Sequence, residues 1–570
     1  MKKRISLLLI LLLIISALWS CGAPPGATDA EGEKVDTPAS ETPAEDTEGQ
    51  AATDEADVFR YGFTGWWPDG KNPLTTSYAI STTAYHTNVY DGLMMQNQDM
   101  EFVGRLAESW DVSEDGLEWT FHLRKGVKFH DGEDFNADDV VYTLNSIMDF
   151  HLSRHLSAMG GVVSVEKIDD YTVKITTEEP KANMIDVGII EIVPEHIFAP
   201  NTPDEASAQA FINETPIGTG PLIYVTDRKD EYIRFKTNKD YWLATPEYDE
   251  FIFVYFTNND TKLQALEKGE IDFCAINGTQ LEYAKGIPDV VINEYNSISF
   301  TELGFNMWNS EESKGNPIVR DNKYLRQAID YAIDYDQMVE YALGGLGVVH
   351  KGLIPRETPW RWDPPADKLR EYNPEKAMAL LDEHGFVDVD GDGLREDPDG
   401  NKMKLRCAVI EGSYKDQSLV VQKNLKEIGL DVEFNLMDSA RQSDIIDTDN
   451  GVDTDLYFWG WSGDYTDPNF ILYVMTTDAV TSGSSDCFWS NEEYDALYQK
   501  QSVTIDYDER MEIVHQMQEL IYEEAPYLIL YNSKAIHVYN GATWEGLETF
   551  PGTSGGYLNL WTKIGLRKIK

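Results

Sequence analysis

Apolar and polar positions alternate most clearly between Leu106 and Leu144. Trp119, Phe121 and Leu123 are separated by Thr120 and His122, the period-two pattern of a half-buried strand. Lys125-Gly126 and Asp131-Gly132 mark turns on its far side, and Asn136 then stands where a helix N-cap belongs. Asp138 and Asp139 fall in the first turn, where the helix dipole favours negative charge, and Val140, Leu144 and Ile147 follow at helical spacing. Two further stretches repeat a strand–helix–strand order. Phe251 to Phe256 predicts a strand, Thr261 to Lys268 a helix stopped by Gly269, and Ile271 to Cys274 the returning strand. Met403 to Ile410 predicts another strand, with a helix ending near Ile428-Gly429, and Val432, Phe434 and Leu436 alternate on the return. Such units build parallel sheets with crossover helices. Their separation along the chain predicts two α/β lobes. Asn373-Pro374 and Gly385 frame a helix with Ala377, Leu380 and Leu381 on its apolar face. A long helix through Met511, Val514, Met517 and Ile521 is stopped by Pro526, and Tyr527 to Tyr539 predicts a late strand.

The N-terminus has a different character. Lys2, Lys3 and Arg4 precede an apolar run from Ile5 to Leu18, too short to span a bilayer as a mature helix, and Ser20-Cys21-Gly22 follows. This pattern is similar to a bacterial lipobox, which implies a signal peptide over 1–21 and lipidation of Cys21; a plain secretory signal with a coincidental cysteine is the alternative. Residues 22–56 are Pro, Ala, Thr, Gly, Asp and Glu with little that is apolar, and predict a flexible, self-repelling acidic tether.

With 570 residues the chain exceeds a single core. Lys plus Arg number 47 against 99 Asp plus Glu, a formal charge of −52, which opposes binding to nucleic acid or to an anionic surface through a basic face. Beyond Cys21 only Cys274, Cys407 and Cys487 remain, so at most one disulfide can form; buried free thiols are the default, and a Cys407–Cys487 pair is left open.

Candidate chemistry lies in loops. In Trp459 to Phe470, WGWSGDYTDPNF, Asp467 reads as the cap of a helix whose first residue is Pro468, leaving Asp464 without a scaffold role three residues after Trp461. A carboxylate in a dry cleft is costly unless it meets a cation, and a ligand ammonium would satisfy it; the structural alternative is an Asx turn. Trp66 and Trp67, after the first strand, are a second candidate pair for stacking on a ligand, with core packing an equal alternative. Tyr90 reads as core. Asp388, Asp390 and Asp392, with Gly393 at the turn and Asp399 at the last position, match a calcium loop in part; a solvated acidic turn is the plainer reading, and any calcium there would only stiffen the loop. No HExxH, GxSxG, phosphate-loop or Cys/His pattern is present, so nothing points to an enzyme, and no cofactor is required.

The Leu106–Leu144 block, with PIGTGP (Pro216–Pro221), NKDYW (Asn238–Trp242), LEKGEIDF (Leu266–Phe273), LGFN (Leu303–Asn306), LRQAIDYAID (Leu325–Asp334), NPEKAMALLDEHGF (Asn373–Phe386) and WGWSGDYTDPNF in that order, resembles the family 5 solute-binding proteins, extracytoplasmic receptors of peptide-type ABC importers. The resemblance implies an α/β, two-lobed periplasmic-binding-protein-like fold of class II, with an extra subdomain inserted in the first lobe. It sets lobe I at 57–92, 214–301 and 526–570, the inserted subdomain at 93–213 and lobe II at 302–525, with crossing strands near Ser299–Phe305 and Pro526–Tyr531. It further implies a monomeric receptor, held at the membrane by lipidated Cys21, that closes on a peptide and passes it to permease subunits. In peptide-binding members an Asp of this motif takes the peptide's amino end, which falls on Asp464, and Trp461 shapes the first side-chain pocket. The same scaffold serves oligosaccharides and nickel chelates elsewhere in the family. From other classes, a secreted hydrolase and a surface adhesin are the rival expectations.

Overall fold

The computed structural model describes residues 56–76, 79–461, 467–550 and 556–569. Its main sheet is built from β1 (Val58–Phe63), β2 (Leu222–Arg228), β3 (Tyr232–Thr237), β4 (Glu250–Tyr255), β5 (Phe273–Ile276), β6 (Val290–Phe305), β7 (Leu405–Ile410), β8 (Val432–Met437), β9 (Leu456–Trp461) and β10 (Tyr527–Asn540). Across the sheet the order is β8-β7-β9-β6-β10-β5-β1-β4-β3-β2, with the two-residue strand Gly347–Val348 added to β10. The parallel sets are β4-β1-β5 on one side and β8-β7-β9 on the other. Between them the long strands β6 and β10 run antiparallel to each other through both halves.

This pair joins the two halves of the sheet. From Val290↔Asn540 to Asn296↔Lys534 the ladder is regular, and it resumes at Phe300↔Asn532. In between, Ser297, Ile298 and Ser299 stand against Ser533 alone, so the register breaks as in a bulge. The Ser297 and Ser299 hydroxyls bond each other at 2.6 Å, and Asn532 Nδ2 donates to the Ser299 carbonyl at 3.2 Å. Side chains replace the β6–β10 ladder bonds here, and the short strand Gly347–Val348 pairs with Ser533 and Asn532 of β10 instead. The two crossing strands are longer than the segments expected from sequence, because each also extends well into the first lobe.

Each side of the break has its own core. The first holds Phe59, Phe63, Phe235, Phe251, Phe253 and Phe273 with Trp544, and the second holds Leu303, Phe305, Leu405, Val409, Phe458, Val514 and Leu528. Outside the main sheet, Ala107–Val112, Glu118–Leu123, Thr172–Thr177 and Val162–Asp169 form a four-stranded antiparallel sheet in that order. Trp119, Phe121 and Leu123 point inward as the alternation requires, each burial contributing about 1.5–3 kcal/mol. The helix Ala137–Asp149 covers this sheet and begins with a capping box: Asn136 Oδ1 accepts from the Asp138 N–H at 2.7 Å, and Asp139 Oδ2 accepts from the Asn136 N–H at 2.9 Å.

Element boundaries differ from expectation where a tertiary partner sets them. The strand expected to begin at Ile271 begins at Phe273, with Asp272 just ahead of it already tied to both neighbours: its N–H donates to the Arg60 carbonyl at 2.9 Å, its carboxylate accepts from the Arg60 N–H at 2.8 Å, and its carbonyl accepts from the Asn540 N–H at 3.0 Å. The strand expected from Met403 begins at Leu405, opposite Val432, the first residue of its partner. The helix expected from Thr261 begins at Asn259 because Asn258 caps it.

Candidate functional site

The parallel strands of both halves end on the broken segment of β6 and β10. On one side β5 finishes at Ile276, opposite Ile536, and β1 finishes at Phe63 beside Tyr255 of β4. On the other, β9 finishes at Trp461, opposite Phe300, while β7 and β8 finish together at Ile410 and Met437. Ligand crevices of open α/β sheets lie outside the carboxyl ends of their strands. Here two such sets of ends approach one break in the crossing pair from opposite directions.

Three of the expected contact residues sit at these ends. Trp66 is 87% exposed just beyond β1. Trp67 is half-buried and packs on Phe63 and Tyr255, each 6.1 Å between ring centroids, so the pair divides between rim and scaffold. Trp461 closes β9, stands edge-on to Phe470 at 5.7 Å and donates its indole N–H to Asp486 Oδ2 at 2.9 Å. Asp464 lies outside the described residues, as does Cys21. Tyr90 is buried, and its hydroxyl accepts from Asn213 Nδ2 at 2.7 Å, as a core residue would.

Behind Trp461 is a carboxyl pair that no sequence motif marks. Glu302 of β6 is fully buried, and neither of its oxygens meets an N–H or O–H donor among the described residues. Its side chain meets Asp486, whose two oxygens take the Trp461 N–H and, at 3.2 Å, the Tyr527 hydroxyl. The donors therefore place the negative charge on Asp486 and the shared proton on Glu302. Burial and the neighbouring Asp486 charge hold the Glu302 carboxyl well above the ordinary carboxylate range, and burial raises Asp486 as well. The one available signal in the sequence was a glutamate inside the apolar run Phe300 to Phe305.

Asp467 does more than the expected capping. Its Oδ1 accepts from the Asn469 N–H at 2.9 Å, but the helix starts at Asn469 with Pro468 ahead of it rather than inside it. The same carboxylate is gripped by buried Arg510 at 2.5 and 2.8 Å. Arg510 also donates to the carbonyl of Ala182 at 3.3 Å, and the Ala182 N–H donates to the Ser502 carbonyl at 3.0 Å. Asp186, on the same segment, is pushed up to about 7 by burial first and then by Asp467. The stretch that leaves the Trp461 loop thus packs against the segment around Ala182.

Asp186 also lines a cavity of about 520 Å³, within the roughly 300–1,000 Å³ of small-molecule sites. Met94, Phe550, Leu558 and Trp561 supply apolar wall, and Arg105, Arg154, Glu191 and Lys563 supply charge. Arg154 is answered by Glu191 at 2.9 Å, and that cation is the main influence holding the buried Glu191 well below the ordinary range. Burial drives Lys563 down to about 7, aided by Arg105.

The acidic turn and the cysteines have simpler geometry. The carboxylates of Asp388, Asp390 and Asp392 lie within 4.8 Å of one another and are exposed, and Asp399 does not join them. Lys402 Nζ bridges Asp390 and Asp392 at 2.9 and 2.6 Å, while Asp388 accepts the Gly391 and Gly393 N–H groups. Cys274, Cys407 and Cys487 are free and buried, so the pairing left open between the last two is absent.

A pair of α/β halves joined by two crossing strands, with strand ends converging between them, defines the two-lobed fold of extracytoplasmic solute receptors. Residues 101–483 match the bacterial extracellular solute-binding proteins, family 5 (middle region), and the chain belongs to this family. It is 28% identical over 460 residues to the oligopeptide-binding protein AppA of Bacillus subtilis, covering 79% of this chain and 82% of that one. It is 27% identical over 493 residues to the heme-binding protein A of Haemophilus influenzae, covering 81% and 84%. Among solved structures, AppA of B. subtilis in complex with a nonapeptide aligns with a TM-score of 0.66 and 26% identity, covering 90% of this chain and 99% of that one. A periplasmic oligopeptide-binding protein of Thermotoga maritima aligns with a TM-score of 0.77 at 23% identity, covering 91% and 100%, and supports the fold alone. No helix among the described residues is long and apolar enough to cross a membrane.

Proposed function

We propose that this chain binds peptides between its two lobes and delivers them to the permease of an ABC importer, performing no catalysis of its own. The observation that carries the reading is the convergence of both sets of strand ends on the break in the crossing pair. Bending there brings the lobes together, excludes water and strengthens each polar contact inside. Peptide backbone supplies regularly spaced donors and acceptors, which allows affinity without strict sequence choice. Asp464 takes the ligand's ammonium and Trp461 bounds the first side chain; the bond from Trp461 to Asp486 holds that ring in place. Trp66 serves as an exposed rim contact. Cys21 carries a lipid anchor and residues 22–56 a tether, so the receptor works at the outer face of the cytoplasmic membrane as a monomer.

Native mass spectrometry of the purified protein tests the ligand class directly: a retained peptide is the expected result, and a retained heme, nickel chelate or oligosaccharide would replace it. In titration calorimetry, Asp464→Ala should weaken a free-amine peptide far more than its N-acetylated form. Equal losses for the two would remove Asp464 from the site.

A further inference from the structure

The break in the crossing pair is filled by a third segment. At Ser533 and Asn532, where β10 departs from β6, the strand Gly347–Val348 takes its place, and just before it the Leu346 carbonyl accepts from the Lys534 N–H at 3.1 Å. This segment comes from the second half. It leaves the helix Tyr335–Leu343 through Gly344 and Gly345, whose φ values of 59° and 81° turn the chain out of the helix at little cost for residues without a Cβ.

Its apolar side chains divide between the two halves. Leu343 and Val349, at its ends, pack on the core of the second half. Leu346, between them, packs instead on a small separate core of the first half, built by Leu263, Leu266, Ile271, Ile276, Ile536 and Val538. Its seat adjoins Gly278, two residues after β5. A methyl group on Gly278 would overlap Leu346 Cδ1, and the backbone there is not left-handed, so glycine provides room rather than a special turn. Seven residues are thus anchored in both cores.

We propose that Leu343–Val349 is a third, non-covalent tie between the halves, and that Leu346 in its seat beside Gly278 sets the angle they adopt. The crossing strands keep the halves connected, but the ladder between them is interrupted where the angle is decided. Apolar contact is short-ranged: a gap of about 0.5–1 Å forfeits roughly a quarter to a half of the attraction between two surfaces. Swinging one half against the other empties the Leu346 seat, so the seated arrangement is favoured by whatever that contact contributes. Any guest that touches both halves then binds in proportion to the population of that arrangement, although Leu346 need not touch the guest. The inference rests on the two-lobed fold and holds whether or not the guest is a peptide.

The test measures the distance between the halves in the full chain without a guest. Genetically encoded ketone residues replace the exposed Lys268 of the first half and Lys423 of the second, and carry nitroxides, which leaves every cysteine untouched. Pulsed electron resonance then reads the distance distribution. Wild-type protein should give one narrow distribution, and Leu346→Ala should widen it and move its maximum. Gly278→Ala should produce a smaller change of the same kind, because the tip of Leu346 can rotate aside, and should add nothing to Leu346→Ala, whose shortened side chain leaves room for the new methyl. A Leu346→Ala distribution indistinguishable from the wild type's overturns the proposal, even with a lowered thermal midpoint, which would mean that the side chain only packs. A Gly278→Ala effect that persists undiminished after Leu346 is removed overturns it as well.

Discussion

Replacing Glu302 by Gln should stabilise the protein at neutral pH and leave it unchanged in acid. The carboxyl is fully buried with no donor on either oxygen, next to an Asp486 whose own donors mark it as the charged partner. Folding therefore keeps a proton on Glu302 that the unfolded chain releases above the ordinary glutamate value of 4.5. Because the folded value is raised, the native state binds more protons than the unfolded state across the window from 4.5 upward. The pair's contribution to stability is thus full below that value and declines as pH rises through the window. From 4.5 to pH 7 is about 2.5 pH units, and at about 1.36 kcal/mol per unit the cost reaches at most about 3.4 kcal/mol. Glutamine has the shape of the protonated acid and offers its amide N–H to Asp486 with no proton to retain. At roughly 2–4 °C per kcal/mol for a unit the size of one lobe, the thermal midpoint of Glu302→Gln should exceed the wild type's by several degrees at pH 7. Thermal scans of both proteins from pH 4 to pH 8 provide the assay, and their difference cancels the similar contributions of Asp139, Asp186 and Asp272. The expected signature is a gap that closes on approaching pH 4.5. A gap independent of pH, or a variant less stable at pH 7, would refute the protonated-pair argument.

Other perturbations follow from the same geometry. Asp467→Ala strands the buried Arg510 guanidinium and should cost about 3–5 kcal/mol in chemical denaturation, whereas a loss below about 1 kcal/mol would mean that the pair is solvated. Asn136→Ala removes the cap of the helix over the four-stranded sheet and should cost about 1 kcal/mol, with faster amide exchange confined to its first turn. Adding calcium or a chelator should leave the thermal midpoint unchanged, because Lys402 already occupies the Asp390 and Asp392 carboxylates; a calcium-dependent rise would assign the turn a metal.

Much of the framework was legible without coordinates because it depends on short-range rules. The N-caps at Asn136 and Asn373 and the alternation at Trp119 to Leu123 involve residues a few positions apart, and each appears where the pattern places it. The return strand at Val432 and the long helix before Pro526 likewise follow from local periodicity. Departures occur where a distant partner intervenes. Asp467, read as a cap, proves to be the anion for Arg510, 43 residues away. Asp388, Asp390 and Asp392 draw together as their spacing suggests, yet Asp399 stays apart and a lysine closes the group.

The amino-acid sequence alone determined the family, the two α/β lobes and the candidate ligand loops only as far as periodicity, turn chemistry and motif order reach. Tertiary structure decided which charges have partners. Glu302 could be recognised as a proton holder only once Asp486 was seen to receive both available donors. Arg510 could be recognised as the partner of Asp467 only once folding brought the two together with the Ala182 carbonyl, 328 residues before Arg510. Periodicity is a property of neighbours along the chain, whereas the energy of a buried charge depends on every group that folding brings around it, and those groups come from segments that no local pattern connects.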